Sequence, residues 1–297
     1  MATRASAQAT AQAQGVADSL MAAHPDLLVE LVFVDTLGDQ RTDVPLHTIG
    51  GQGVFVKEVQ RAVLDGAADF AAHSAKDLPS LTADGLQLAA FCARRDPRDA
   101  LVGAPLAQLV AGATVASGSV RRRAQLSRAR PDLQFVELRG NIHTRLTKVP
   151  EGGALVMAVA ALQILGLTDR IAQVLPVDEY VPSPGQGCVA LECRADDART
   201  AALLGVVDHP PTRAEVEAER AFLAELGTGC SLPVAAHAQG DRLWGFLAES
   251  VADGATAHRG DAPRRAVQRT INLSGSPAAR REMAATLARA LRDELET

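Results

Sequence analysis

The sequence predicts an α/β protein in which two lobes with mostly parallel sheets flank a cleft, followed by a smaller α+β domain. Three observations lead there. Before residue 207, short apolar, β-branched stretches alternate with segments of helical period, the pattern of strands joined by helical crossovers. Two segments, Arg94 to Asp99 and Val181 to Gly187, read as crossings between lobes, and a hinge over a cleft is where a ligand goes. After Asp208-His209-Pro210-Pro211 the alternation gives way to successive strands and a long terminal helix. A chain of 297 residues exceeds one small core. The expected division is residues 1–95 with 186–206, 96–185, and 207–297.

An Ala/Gln-rich helix opens the chain and ends near His24-Pro25, and Leu27 to Val34 follows as a strand. Gly50-Gly51-Gln52-Gly53 is a loop before a helix from Val54 to Leu64, with Val56, Val59 and Val63 at helical spacing. Ala68 to His73 and Leu86 to Cys92 read as strands. The second lobe runs strand Ala113–Ala116, helix Val120–Ala129, strand Leu133–Leu138, helix Ile142–Thr147 and strand Ala154–Val159. Gln186 to Arg194 is strand-like, and Asp196 to Val206 is helical. The last domain has a helix from Ala214 to Leu226 and strands at Pro233–Ala238, Arg242–Ala248 and Val267–Leu273. In its closing helix Ser276 is the N-cap, Pro277 fills the first turn, and Met283, Leu287, Leu291 and Leu295 make an apolar face.

Composition excludes several function classes. Aromatics make up 3% of the residues, too few for the stacking platforms that bind single-stranded nucleic acid. The net charge of -5 argues against a duplex-binding protein. No basic segment followed by an apolar one opens the chain, and no apolar run is long enough for a bilayer, so neither signal peptide nor membrane span is expected. Four cysteines without a framework spacing point to a reducing cytoplasm. Cys188 and Cys193, an odd number of residues apart in one strand, face opposite ways, so no metal site is expected.

Against that acidic background, Arg121 to Lys148 holds eight basic and two acidic residues. Arginine forks suit carboxylates and phosphates, so the stretch reads either as a multi-anion site or as a solvated helix face. Ser117-Gly118-Ser119-Val120-Arg121-Arg122 ends a strand and opens a helix, placing free N–H groups, hydroxyls and guanidiniums together. Arg139-Gly140-Asn141-Ile142-His143-Thr144-Arg145 repeats the arrangement after the next strand. His73-Ser74-Ala75-Lys76-Asp77 puts a carboxylate beside a lysine at a strand end, either a structural ion pair or a cleft acid. Gly227-Thr228-Gly229-Cys230 sets one thiol on a small-residue turn, inert or a point of covalent attachment.

Taken in order, these segments resemble the porphobilinogen deaminase family over nearly the whole chain. The matching pieces include Ala2-Thr3-Arg4-Ala5-Ser6, Gly53-Val54-Phe55-Val56-Lys57-Glu58, His73 to Pro79, Asp96-Pro97-Arg98-Asp99-Ala100, Ser119 to Arg122, Arg139-Gly140-Asn141, Thr144-Arg145-Leu146, Gly185-Gln186-Gly187, Glu192-Cys193-Arg194 and Gly229-Cys230. The resemblance implies periplasmic-binding-protein-like lobes. It also implies a transferase that joins four porphobilinogen molecules head to tail on a covalent dipyrromethane primer, releasing ammonia and hydroxymethylbilane. It places the primer on Cys230 and the essential carboxylate at Asp77. Lys76, Ser119, Arg121 and Arg122 would hold the primer, and Arg4, Ser6, Phe55, Arg139 and Arg145 would meet substrate and growing chain. A cytoplasmic monomer in porphyrin biosynthesis, handing its product to uroporphyrinogen-III synthase, is what the resemblance further implies.

The chain also departs from the family. Gln52 replaces a frequent lysine, Gln163-Ile164 replaces a basic pair, and Met1 falls within a shortened first strand. Slower elongation or weaker substrate binding is the expectation. An impaired homologue and a two-lobed anion-binding protein are the rival readings; the second needs no Cys230.

Overall fold

A computed structural model describes residues 1–40, 53–227, 233–249 and 265–297. The expectations on Gln52, Thr228, Gly229 and Cys230 lie outside the described residues.

The first lobe contains β1 (Ala2–Arg4), α1 (Ala7–Ala23), β2 (Val32–Val34), the single turn α2 (Leu37–Gln40), α3 (Lys57–Leu64), β3 (Phe70–Ser74) and β4 (Leu86–Phe91). The second contains β5 (Asp99–Gly103), β6 (Thr114–Ala116), α4 (Val120–Ala129), β7 (Gln134–Val136), α5 (Ile142–Leu146), β8 (Ala154–Ala158), α6 (Val159–Ile164) and β9 (Ile171–Val174). The chain then returns to the first lobe with β10 (Val189–Arg194) and α7 (Ala198–Leu204). It closes with α8 (Pro210–Glu225), β11 (Val234–Gln239), β12 (Arg242–Ala248), β13 (Ala266–Asn272) and α9 (Pro277–Glu296).

The two five-stranded sheets share one plan. Their orders are β2-β1-β3-β10-β4 and β7-β6-β8-β5-β9. In each, the first three strands are parallel and two antiparallel pairings extend them. Parallel strands must be buried on both faces. In the first lobe, Val16, Ala17 and Leu20 of α1 cover one face with Phe70, Leu191 and Leu204, and Val59 and Val63 of α3 cover the other with Ala71. The terminal antiparallel sheet, β11-β12-β13, buries one face under α8 and α9 through Phe222, Leu287 and Leu291.

Local chemistry sets the helix starts. Ser6, Ser119, Asn141 and Ser276 accept from the backbone N–H groups of Ala9, Arg122, Thr144 and Ala279 and cap α1, α4, α5 and α9. The helix expected from Ala214 begins four residues earlier, because His209 caps it and Pro210 and Pro211 lose no needed donor in the first turn. The strand expected from Leu27 is shorter: only Val32–Val34 pairs with β1, and Leu28 is 87% exposed. The helix expected from Val54 starts at Lys57.

The crossing segments lie side by side. The N–H groups of Cys92 and Arg95 donate to the carbonyls of Val189 and Gly187, and Arg94 Nε donates to the Gln186 carbonyl. Gly187 has φ 87, and a Cβ there would stand 2.6 Å from the Arg95 carbonyl oxygen, so the approach demands glycine. Cys188 packs with Phe91 and Ala190, whereas Cys193 packs with the α1 side of the sheet. Among the described residues no cluster of His, Cys, Asp or Glu is arranged to hold a metal ion.

Candidate functional site

The first lobe brings its polar strand ends to the cleft. Arg4, at the end of β1, donates from Nε to Asp39 Oδ2 at 2.9 Å and makes a second bond to Oδ1 of the same carboxylate. Its guanidinium lies 4.1 Å over the Phe55 ring, and its Nη1 stands 4.0 Å from Asp77 Oδ2. Asp39 also accepts from Thr36 Oγ1 at 2.7 Å. Asp77 follows β3 on a single 3-10 turn, Ala75–Asp77, and stays partly exposed. Arg4 thus joins Phe55 and Asp77 into one group, and Asp39, an acid that the sequence reading did not select, holds Arg4.

On the second lobe, α4 presents Arg121 and Arg122 to one buried carboxylate. Arg121 Nη2 lies 2.8 Å from Asp99 Oδ2; Arg122 Nη2 and Nε donate to Asp99 Oδ1 at 2.7 and 3.0 Å. Burial acts to raise the Asp99 pKa, but Arg121 and Arg122 outweigh it and hold the carboxyl well below the usual carboxylate range. Arg121 also donates to the Val181 carbonyl at 2.8 Å, fixing α4 to the second crossing segment.

Lys76, partly buried beside Asp77, donates to Gln186 Oε1 at 3.3 Å. Burial first, then Arg122, brings its ammonium down to about 8. Arg145 donates from Nε to the Gly140 carbonyl at 2.7 Å; burial first, then Arg122 and Arg139, lowers its guanidinium to about 10. Arg139 reaches across the cleft, its Nη2 donating to the Gly38 carbonyl at 3.2 Å.

The basic stretch therefore divides. Arg121 and Arg122 turn to Asp99, Arg145 to the Gly140 carbonyl and Arg139 to Gly38 of the first lobe, while Arg123 pairs with Glu137 and Arg130 with Asp132. Two of the expected site hydroxyls, Ser6 and Ser119, cap helices. Ile164 ends α6 half-buried, after the buried run Val159–Leu162. Cys230 lies outside the described residues, beyond the end of α8.

Sequence reasoning passed over Asp99 and Gln186. Asp99 stood in the quoted Asp96–Ala100 segment and Gln186 between two glycines, but their partners are remote in sequence. Asp99 enters the charge balance with Asp77. Lys76, Arg121, Arg122 and Arg145 face three acids, Asp77, Asp99 and Glu137, and Glu137 is already paired with Arg123. Cations held partly out of water in excess fit a ligand with several carboxylates.

Two family models match the chain: porphobilinogen deaminase, dipyromethane cofactor binding domain, over residues 1–202, and porphobilinogen deaminase, C-terminal domain, over residues 213–251. Several solved structures resemble it loosely. YhfZ from Shigella flexneri is 15% identical over 73% of this chain and 86% of its own, with a TM-score of 0.37. The periplasmic domain of BvgS from B. pertussis is 18% identical over 65% of this chain, with a TM-score of 0.34, and the chain spans 34% of it. A Salmonella typhimurium periplasmic binding protein with high arginine specificity is 11% identical over 66% of this chain and 80% of its own, with a TM-score of 0.33. Likenesses this loose bear on no function.

Proposed function

The chain belongs to the porphobilinogen deaminase family, and from that membership we propose that it is a hydroxymethylbilane synthase whose primer is carried by Cys230. Polymerisation of porphobilinogen in tetrapyrrole biosynthesis is the family's reaction, and a dipyrromethane is its cofactor. The observation that carries the reading is the excess of cleft-side cations around Asp77 and Asp99.

The donor set fits the dipyrromethane, whose acetate and propionate groups are carboxylates. Lys76, Arg121 and Arg122 would hold them, with Ser119 at the start of α4. When bound, the dipyrromethane supplies the free pyrrole carbon to which the first substrate is joined. Arg4, Arg139 and Arg145 bind carboxylates of substrate and growing chain, and Phe55 closes the Arg4 side. Ser6 fixes the start of α1 beside them. Loss of ammonia from porphobilinogen leaves positive charge on its pyrrole nitrogen. Asp77 is the carboxylate placed to stabilise that charge and take up a proton. Arg4 at 4.0 Å holds Asp77 toward the cleft.

Under this reading residues 1–95 with 186–206, 96–185, and 207–297 are the three domains. The protein acts as a cytoplasmic monomer and hands its product to uroporphyrinogen-III synthase. Among the described residues no helix is long and apolar enough to cross a membrane. Intact mass spectrometry with and without porphobilinogen tests the function. A dipyrromethane adduct that grows in pyrrole-sized steps and is abolished by Cys230→Ala is expected. A mass that never changes would refute the reading.

A further inference from the structure

We propose that Gln186 is a positioning residue whose amide sets the spacing between the first-lobe ammonium of Lys76 and the second-lobe pair Arg121 and Arg122, acting through Asp99. The inference rests on the reading of the cleft as a carboxylate site. Gln186 is 1% exposed, and its amide is engaged in both directions. Its Nε2 donates to the Pro97 carbonyl at 2.7 Å and to Asp99 Oδ1 at 2.9 Å, and its Oε1 accepts from Lys76 Nζ at 3.3 Å. Asp99 carries the connection to Arg121 at 2.8 Å and Arg122 at 2.7 Å.

Each link sits on a different part of the fold. Lys76 follows β3 of the first lobe, and Gln186 lies in the second crossing segment. Asp99 opens β5 directly after the first crossing, and the arginines open α4 of the second lobe. Hinge rotation can change the Lys76–Arg122 spacing only by stretching this chain of bonds. The crossing also holds Gln186 itself, because Gly185 and Gly187 take φ 72 and 87 and leave no room for a Cβ against Ala75 and Arg95.

An amide suits the position because it is neutral and two-faced. It donates to a carboxylate on one side and accepts from an ammonium on the other. A carboxylate there would pair with Lys76 in place of the ligand, and a hydrocarbon would leave Lys76 without its acceptor. The charges facing Lys76 are Asp77 on its own turn, Asp99 on β5, and Arg121 and Arg122 on α4. That set keeps one cation in excess for a ligand carboxylate. A glutamate at 186 would turn one oxygen to Asp99 Oδ1 and the Pro97 carbonyl, where the amide donates, so as an anion it would be repelled there.

The test exploits a scarcity of lysine. The chain has lysines only at 57, 76 and 148, so protein labelled with carbon-13 at lysine Cε gives three side-chain signals to titrate. Full-length wild type, Gln186→Met and Gln186→Leu are compared, with Lys76→Arg assigning the signal and porphobilinogen-driven mass growth timed in each. Relative to wild type, the Lys76 midpoint should fall in both variants, by about half a pH unit or more, because the ammonium loses its acceptor. Mass growth should slow by about tenfold or more in both. A role confined to packing would leave the midpoint of Gln186→Met unmoved, since methionine matches glutamine in length. An unchanged midpoint in folded Gln186→Met, or unchanged mass growth where the wild type carries its primer, overturns the proposal, even if Gln186→Leu fails to fold. A wild type that never gains primer, with midpoints that still separate, refutes the deaminase reading and supports the Gln186 connection.

Discussion

Two guanidiniums share the Asp99 carboxylate, and the consequence depends on whether the cleft holds a ligand. Asp99 is 1% exposed and Arg121 5%, so neither charge is relieved by water if its partner is removed. Asp99→Asn keeps the shape and deletes the anion. Breaking a buried pair from one side costs about 3–5 kcal/mol. A ligand carboxylate beside Arg121 and Arg122 restores part of the lost pairing. Denaturant unfolding should therefore show a large loss in the primer-free variant, made with Cys230→Ala, and a smaller one in the primer-bearing variant. Equal losses in both forms would show that ligand carboxylates do not reach these arginines.

Among the elements, those with local signals were legible and those without were not. Val120–Ala129 and Arg242–Ala248 have the expected bounds, since a serine cap opens the first and strict pairing on both sides holds the second. The apolar run Ala154–Leu162 gave no sign that it changes from β8 to α6 at Ala158, where no side chain caps the helix; unbroken apolar sequence has no period to read. β5 was missed because it opens on Asp99, at the end of a segment read as a crossing, and β9 because its four residues carry only two β-branched side chains. The same limit applied to the site. Arg4, Asp77, Arg121 and Arg122 sit at strand and helix ends that a sequence reading can place. The Asp99–Gln186 bond joins residues 87 apart and exists only once both crossings lie together. In the terminal domain, Gly245 on β12 faces Phe222, Leu287 and Leu291, and a Cβ there would meet their side-chain carbons at 2.8, 3.0 and 3.1 Å. Gly245→Ala must displace these buried side chains from their packing between α8, α9 and the sheet, so we expect a loss of about 1–3 kcal/mol by thermal unfolding, where a surface Gly→Ala such as Gly15→Ala has no such clash. Equal stability of the two variants would mean that the helix pair repacks freely.

The three parts of the molecule meet at Glu219 on α8. Its carboxylate accepts from Arg94 Nη1 and Nη2 at 2.7 and 2.9 Å on the first crossing, and from the Gly185 N–H at 2.7 Å on the second. It also accepts from the Ala238 N–H at 2.7 Å, and His237 Nδ1 lies 3.1 Å away, both on β11. Burial works to raise its pKa, yet Arg94 and then His237 hold it at about 2. The folded value lies below the usual glutamate value of about 4.3, so this stabilisation is complete above that pH and is lost as pH falls toward 2, roughly 3 kcal/mol in all. Glu219→Gln should destabilise the protein at neutral pH and flatten its stability profile between about pH 4.3 and 2. The single tryptophan, Trp244, stacks on His237 with ring centroids 5.7 Å apart and so reports on this junction. If Glu219 couples the terminal domain to the lobes, tryptophan fluorescence and far-ultraviolet circular dichroism will change together in wild type under denaturant. In Glu219→Gln the fluorescence transition will come at lower denaturant than the dichroism transition. Coincident transitions in the variant would place the coupling elsewhere, in the apolar contact of Val216 with Phe91 and Val56 that α8 makes against the first lobe.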